Sequence, residues 1–169
     1  MPQTEQKSKQ AGAIDAIALL TQDHRDVEKM FKEFEKAKKA DKAKKADEVG
    51  AKADLAQRIC AALTAHAEIE EEVFYPAARK AIEDEAVMDE AEVEHGGIKR
   101  LVEELKEMEP GDDLYEAKMT VLTEYVRHHV KEEEGEMFPK VKKANLDLKA
   151  LGTEMMERKK VISATLDAA

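Results

Sequence analysis

The chain contains five histidines, at positions 24, 66, 95, 128 and 129. Imidazole is the side chain whose charge changes near neutral pH, and it is a common metal ligand. Four of them, His24, His66, His95 and His129, fall on apolar stripes with helical spacing. His66 and His129 are each followed four residues later by a glutamate, Glu70 and Glu133. Residues at i and i+4 share a helix face, so these carboxylates face the same way as the imidazoles. The pattern also repeats. Residues 66–76 read HAEIEEEVFYP and residues 129–139 read HVKEEEGEMFP. The histidine, Glu70/Glu133, Glu71/Glu134 and Pro76/Pro139 coincide at an offset of 63. At an offset of 71, His24 matches His95, Val27 matches Ile98 and Met30 matches Leu101. The chain reads as one helix pair used twice, with a site at the repeat axis.

One histidine with an acid four residues on is a weak signal in a chain with 38 acidic residues. The joint set is stronger. Four imidazoles and two carboxylates on inward faces must all leave water, at about a few kcal/mol each without a partner. Metal ions compensate them together, which makes His24, His66, Glu70, His95, His129 and Glu133 the candidate ligands. A shell of imidazole and carboxylate without thiolate suits iron or manganese, whereas a structural zinc site is closed and often uses cysteine. Two glutamates can each bridge two ions, with two histidines completing each ion and positions left open for an oxo or hydroxo bridge and a small ligand. Ferritin-like bundles use paired Glu-x-x-His motifs. Here only Glu92–His95 has that spacing, and Leu63 and Val126 stand where the other glutamates would be.

Four amphipathic segments position these residues. The first carries Ile17, Leu20, His24, Val27, Phe31 and Phe34; the second Leu55, Ile59, Leu63, His66, Glu70, Val73 and Ala77. The third carries Ala91, His95, Ile98, Val102, Leu105 and Met108; the fourth Leu114, Leu122, Val126, His129, Glu133 and Met137. Each follows the 3.6-residue period. Ala, Glu, Lys, Leu and Arg make up 92 of the 169 residues, a composition of long helices. The expected fold is all-α: an up-down-up-down antiparallel four-helix bundle over residues 14–143, after a flexible segment 1–13. An additional short C-terminal helix lies in 144–169, with Leu148, Leu151, Met155, Ile162 and Leu166 on one side. It packs on the bundle or on a second copy, giving a homodimer. Thr21 is a candidate cap for the first helix and Asp113 with Glu116 a capping box for the fourth. The lysine-rich stretch Lys36–Lys45 reads as a frayed helix end or a solvated loop, and Pro76 and Pro139 as kinks or restarts.

The formal charge of −10 argues against a nucleic-acid partner. No window of about 18 apolar residues exists to span a membrane. Residues 1–10 lack the apolar run of a signal peptide, and the single cysteine, Cys60, has no internal disulfide partner. Both point to a cytoplasmic protein. Cys60 lies among Leu55, Ile59, Ala62 and Leu63 and reads as an inert core residue.

The arrangement resembles the hemerythrin-like, or HHE cation-binding, family. The resemblance rests on His24 in TQDHRDVEKMF, His66 and Glu70 in HAEIEEEVFYP, His95 in EVEHGGIKRL, and His129 and Glu133 in HVKEEEGEMFP. It covers about residues 14–143. It implies a four-helix bundle with a carboxylate-bridged centre of two iron ions, with His24 sharing one ion with His129 and His66 the other with His95. It also implies a small diatomic or peroxide ligand, with roles in oxygen binding, stress response, sensing, iron exchange or a catalase-like reaction. Oxygen-carrying members have a further histidine one turn after the helix-three histidine. Here that place is Lys99, which points away from oxygen carriage.

Other residues near the motifs read as follows. His128 has Ala65 as its repeat counterpart and belongs on the surface or behind the ligands. Glu28, four after His24, is a surface charge. Tyr125, one turn before His129, either packs or donates to a bound ligand. Gly96 and Gly97 mark a small-molecule channel or loose packing.

Overall fold

The computed structural model describes residues 14–40 and 46–169. Segment 1–13 and the middle of the lysine-rich connection, 41–45, lie outside the described residues. Among the described residues seven α-helices follow in order: α1 (Ala16–Ala40), α2 (Ala46–Ile69), α3 (Tyr75–Ile82), α4 (Glu85–Lys106), α5 (Tyr115–Glu132), α6 (Phe138–Lys143) and α7 (Leu148–Ala168). No strand occurs among the described residues. α2 runs into α3, and α5 into α6, through five-residue π turns at Glu70–Phe74 and Glu133–Met137. These pairs form single columns, so four columns make the bundle.

The cross-helix contacts fix the directions. His24 meets His66, while residues Phe31 and Phe34 share a cluster with Ala56 and Ile59. His95 meets His129, and Lys38 near the end of α1 reaches Thr120 near the start of α5. Neighbouring columns are therefore antiparallel, in the expected up-down-up-down order. Two apolar clusters fill the bundle. One holds Phe31, Phe34, Ile59, Leu105, Tyr115, Met119 and Leu122. The other holds Leu20, Ile69, Phe74, Met88, Met137, Phe138, Val141 and Met155. The histidine layer lies between them.

Each π turn begins on a glutamate of the motif and ends just before Tyr75-Pro76 or Phe138-Pro139. Proline lacks the N–H of an i→i−4 bond, and its ring clashes with the carbonyl four residues back. The helix responds by widening, with Tyr75 N–H donating to Glu70 O and Phe138 N–H to Glu133 O. The prolines thus restart the helices.

The caps differ from expectation. α1 is continuous from Ala16, and Asp15 caps it by accepting from Ala18 N–H at 2.8 Å, so Thr21 is interior. The Asp113–Glu116 box does not form. α5 starts after Leu114 in the left-handed region (φ 68°), because Glu116 turns to the buried ammonium of Lys52.

The C-terminal helix is not short: α7 has 21 residues, and its stripe lies on the chain's own bundle. Met155 and Ile162 are buried there, with Leu148, Leu151 and Leu166 packed alongside. Gly152 makes the approach close. A Cβ on it would collide with the Ile14 carbonyl oxygen and sit 2.8 Å from Ala16 N.

Candidate metal centre

The six residues singled out by the repeat converge in one buried layer, His24, His66, His95 and His129 at 3–7 % exposure and both glutamates at 0–1 %. Each imidazole turns Nε2 inward. His24 Nε2 lies 3.2 Å from His66 Nε2, and His95 Nε2 lies 3.1 Å from His129 Nε2. The inward nitrogens thus group His24 with His66 and His95 with His129, not His24 with His129 and His66 with His95 as the resemblance implied, because α1 packs on α2 and α4 on α5. The glutamates join the pairs. Glu70 has Oε1 3.1 Å from His66 Nε2 and Oε2 3.0 Å from His95 Nε2. Glu133 Oε2 is 3.2 Å from His24 Nε2 and 3.7 Å from His129 Nε2.

Every Nδ1 turns outward to a carboxylate. His24 pairs with Glu134 (2.9 Å), His66 with Asp23 (3.2 Å), His95 with Glu71 (3.0 Å) and His129 with Glu94 (2.6 Å). A carboxylate behind a metal-binding histidine fixes its ring and tautomer and raises its basicity. These acids have their own partners: Arg25 on Glu134, Lys159 on Asp23, Lys99 on Glu71 and His128 on Glu94. None of the four acids was a candidate from sequence, though each adjoins a ligand in the chain. A signal existed: Glu71/Glu134 coincide at the offset of 63, and Asp23/Glu94 at 71.

Tyr75 was also missed. Its hydroxyl lies 3.0 Å from His95 Nε2 and Glu133 Oε1, and 3.3 Å from His129 Nε2 and Glu70 Oε2. In an α-helix, five residues leave Tyr75 about 140° from Glu70 around the axis. The π turn closes between these two residues and brings the phenol back to the glutamate's face. In the second half the same place is Phe138, which stacks on His24 at 6.0 Å between ring centroids. The twofold repeat is thus broken at the site, with a phenol beside one pair and a benzene ring beside the other.

On the opposite side a cavity of about 20 Å³ has the four imidazoles at its floor and Val27, Leu63, Ile98, Val126 and Val130 as its roof. On the same measure one water needs about 10–15 Å³. Tyr125, by contrast, is half exposed and lies against Gly97, so it packs outside the centre. Gly96 lines a groove between α4 and α3 whose floor includes Tyr75. Glu28 pairs with Arg127 on the surface.

A family description, the hemerythrin HHE cation binding domain, matches residues 15–141. This chain belongs to that family. A crystal structure of an HHE cation-binding domain-containing protein from Mycobacterium kansasii superposes with a TM-score of 0.70. It covers 90 % of this chain and 89 % of that one at 21 % identity, a likeness of fold. A DNA nickase from Nostoc sp. is 36 % identical over 80 residues. Those residues are 47 % of this HHE chain but 22 % of the nickase, so the chain spans about a fifth of that protein's length.

The charges of this HHE site fit cations. Glu70 Oε1 and Glu133 Oε2 are buried without a hydrogen-bond partner. Orphaned buried carboxylate oxygens are costly, and four Nε2 atoms aimed at the same space add to the demand. Burial alone would push His66 and His95 down. Instead, Glu70 and Asp23 hold His66 up to about 10, and Glu70 and Glu71 hold His95 up to about 9. Against its own burial, Glu70 is drawn well below the usual carboxylate range by His66 and His95. Burial and the charge of Glu70 push Glu133 up. Burial, then the two glutamates, raise Tyr75 well above the ordinary phenol. The metal-free centre thus stores protons that cations would displace. Cys60 is buried and its thiol is pushed up to about 11 by burial, an inert residue as expected.

Among the described residues no helix is long and apolar enough to cross a membrane.

Proposed function

We propose that this HHE domain holds two iron ions and binds or reacts with a small ligand: dioxygen, nitric oxide or peroxide. His24 with His66 would hold one ion and His95 with His129 the other, with Glu70 between the two pairs and Glu133 nearer the first. Bound iron would supply open coordination positions and a redox couple. The single observation that carries the reading is the cavity over the four imidazoles. Beyond the imidazoles and Asp23 its walls are aliphatic, and its size suits one or two water-sized molecules. A pocket of that size favours a diatomic over a large substrate. Oxygen or redox stress response, or sensing, is the setting such chemistry fits.

A peroxide-decomposing enzyme is the second reading, and Tyr75 favours it. Its hydroxyl touches both glutamates and stands at the floor of an outer groove, where it can hold or pass a proton. Six buried ligands also suit an iron sensor or donor, whose bundle loosens when metal leaves. DNA nicking is not carried to this chain, since a formal charge of −10 opposes a phosphate backbone.

Metal content per chain, read with the visible spectrum before and after oxygen, nitric oxide and peroxide, tests all three. Two irons and oxo-bridge charge-transfer bands that respond to one of these ligands are expected. A protein without iron, in which His66→Ala changes neither metal content nor stability, overturns the reading.

A further inference from the structure

Three of the four outer carboxylates are capped by permanent cations: Glu134 by Arg25, Asp23 by Lys159 and Glu71 by Lys99. The fourth, Glu94, is met by an imidazole. His128 Nε2 stands 3.1 Å from Glu94 Oε1 and 3.5 Å from Glu132 Oε1. These three side chains place one nitrogen and two carboxylate oxygens within 4.8 Å of one another, open to solvent. A narrow crevice runs inward beside them, between α4 and the second π turn. It is small, about 10 Å³, and is lined by Glu90, Glu94, Glu132, Glu133, Glu136 and His129 together with three apolar side chains. Its inner wall is Glu133, 1 % exposed, whose Oε1 accepts from Tyr75 and whose Oε2 lies 3.2 Å from His24 Nε2 in the buried centre.

We infer that this crevice is the cation entry route to the buried centre, and that Glu94, His128 and Glu132 form a divalent-cation staging site at its rim. The inference rests on the reading of the buried layer as a metal centre. A cleft lined with carboxylates in a low-dielectric wall concentrates cations. Lys140, which pairs with Glu136 of this lining at 3.0 Å, is also held 2.6 Å from Asp84. At the other three walls, a fixed ammonium or guanidinium sits where an incoming cation would first bind. At Glu94 a hydrated ion meets an imidazole and carboxylates of the kind that bind first-row metals. From there it is handed inward to Glu133 and His129, which line the same crevice. Glu94 belongs to both places, since its other oxygen holds His129 Nδ1.

The test loads metal-free protein with cobalt(II). Optical bands count the buried ions and their rate of entry, and paramagnetic broadening of the His128 ring signals reports the outer site. Expected are early broadening at His128 in the wild type, and in His128→Ala/Glu132→Gln loading slowed about tenfold or more. Final occupancy of the buried centre should be unchanged in that variant. Lys118→Ala, near the start of α5 where Lys118 pairs with Glu104, should load at the wild-type rate. A wild-type loading rate in the double variant, or His128 signals untouched by cobalt, overturns the inference. If the double variant also loses buried ions, Glu136→Gln decides: slowed entry at full occupancy supports the route, and unchanged entry overturns it. A protein whose buried centre takes no cobalt instead overturns the reading beneath, and the His128 signals still report the outer site.

Discussion

Glu94 precedes His95 in the chain, yet it accepts its 2.6 Å hydrogen bond from His129 on the next helix. The same crossing recurs all round the centre. Asp23, beside His24, holds His66; Glu71, beside Glu70, holds His95; Glu134, beside Glu133, holds His24. Each of the four imidazoles is thus oriented by the chain neighbour of another candidate ligand. The four columns are tied together at the site as much as by the apolar clusters above and below it.

Removing one such acid should loosen the metal without unfolding the bundle. Asp23→Asn and Glu94→Gln are each expected to lower metal affinity about 10- to 100-fold. Competition against a chromophoric chelator measures this, with circular dichroism confirming that helix content is kept. An affinity equal to wild type would show that the outer acids play no part.

The inner six were legible because the repeat doubles the signal: His66 and Glu70 gain weight from His129 and Glu133. The outer acids were hidden by composition, since in a chain this acidic a glutamate next to a histidine is unremarkable without the third dimension. Tyr75 was hidden for two reasons. Its repeat partner is Phe138, and the π turn carries it to a face that a regular 3.6-residue period does not assign it. Tyr125 shows the converse, since its regular helical spacing suggested the site while its ring packs on Gly97. The bundle's order and the helix faces followed from periodicity, whereas the caps did not, because Glu116 is engaged by a lysine far along the chain.

Tyr75→Phe makes the two halves alike at this position. Metal content should stay at wild type, while peroxide decomposition by the loaded protein should slow about 100-fold or more, the usual worth of a positioned proton donor. Oxygen evolution from peroxide measures this. An unchanged rate would assign the phenol to packing.

Filling the roof of the cavity should separate ligand access from metal binding. Val126→Phe is expected to cost about 1–3 kcal/mol of stability through overpacking. It should keep the metal and abolish most nitric oxide or oxygen binding, read from the loss of ligand-induced spectral change. Full ligand binding in a folded, loaded variant would place the ligand elsewhere.

The metal-free protein should lose stability in alkali. His66 and His95 are raised to about 10 and about 9, above the unfolded value near 6.5. Their contribution is complete below about 6.5 and is lost as pH rises through about 9 to 10. Glu133, also raised, acts in the same direction from its own, lower range. The melting temperature of chelated protein is expected to fall from pH 7 to 10, and that of loaded protein to fall less. At pH 7, loading should release protons, measurable with an indicator dye in weak buffer.

Gly152→Ala tests the seat of α7. The clash is with backbone atoms of residues 14–16, which cannot rotate away as a side chain could. A loss of about 1–3 kcal/mol in urea unfolding is expected. No change would mean that α7 shifts freely on the bundle.

Lys159 gives that last helix a further meaning. It lies past the 15–141 stretch that defines the family, yet its ammonium holds Asp23, which in turn holds His66. A fragment cut after the sixth helix would retain all six inner side chains but have one imidazole set by a carboxylate that has lost its counter-ion. The smallest piece that contains the ligands is therefore smaller than the smallest piece that sets their electronics, and the tail belongs to the instrument it was thought only to cover.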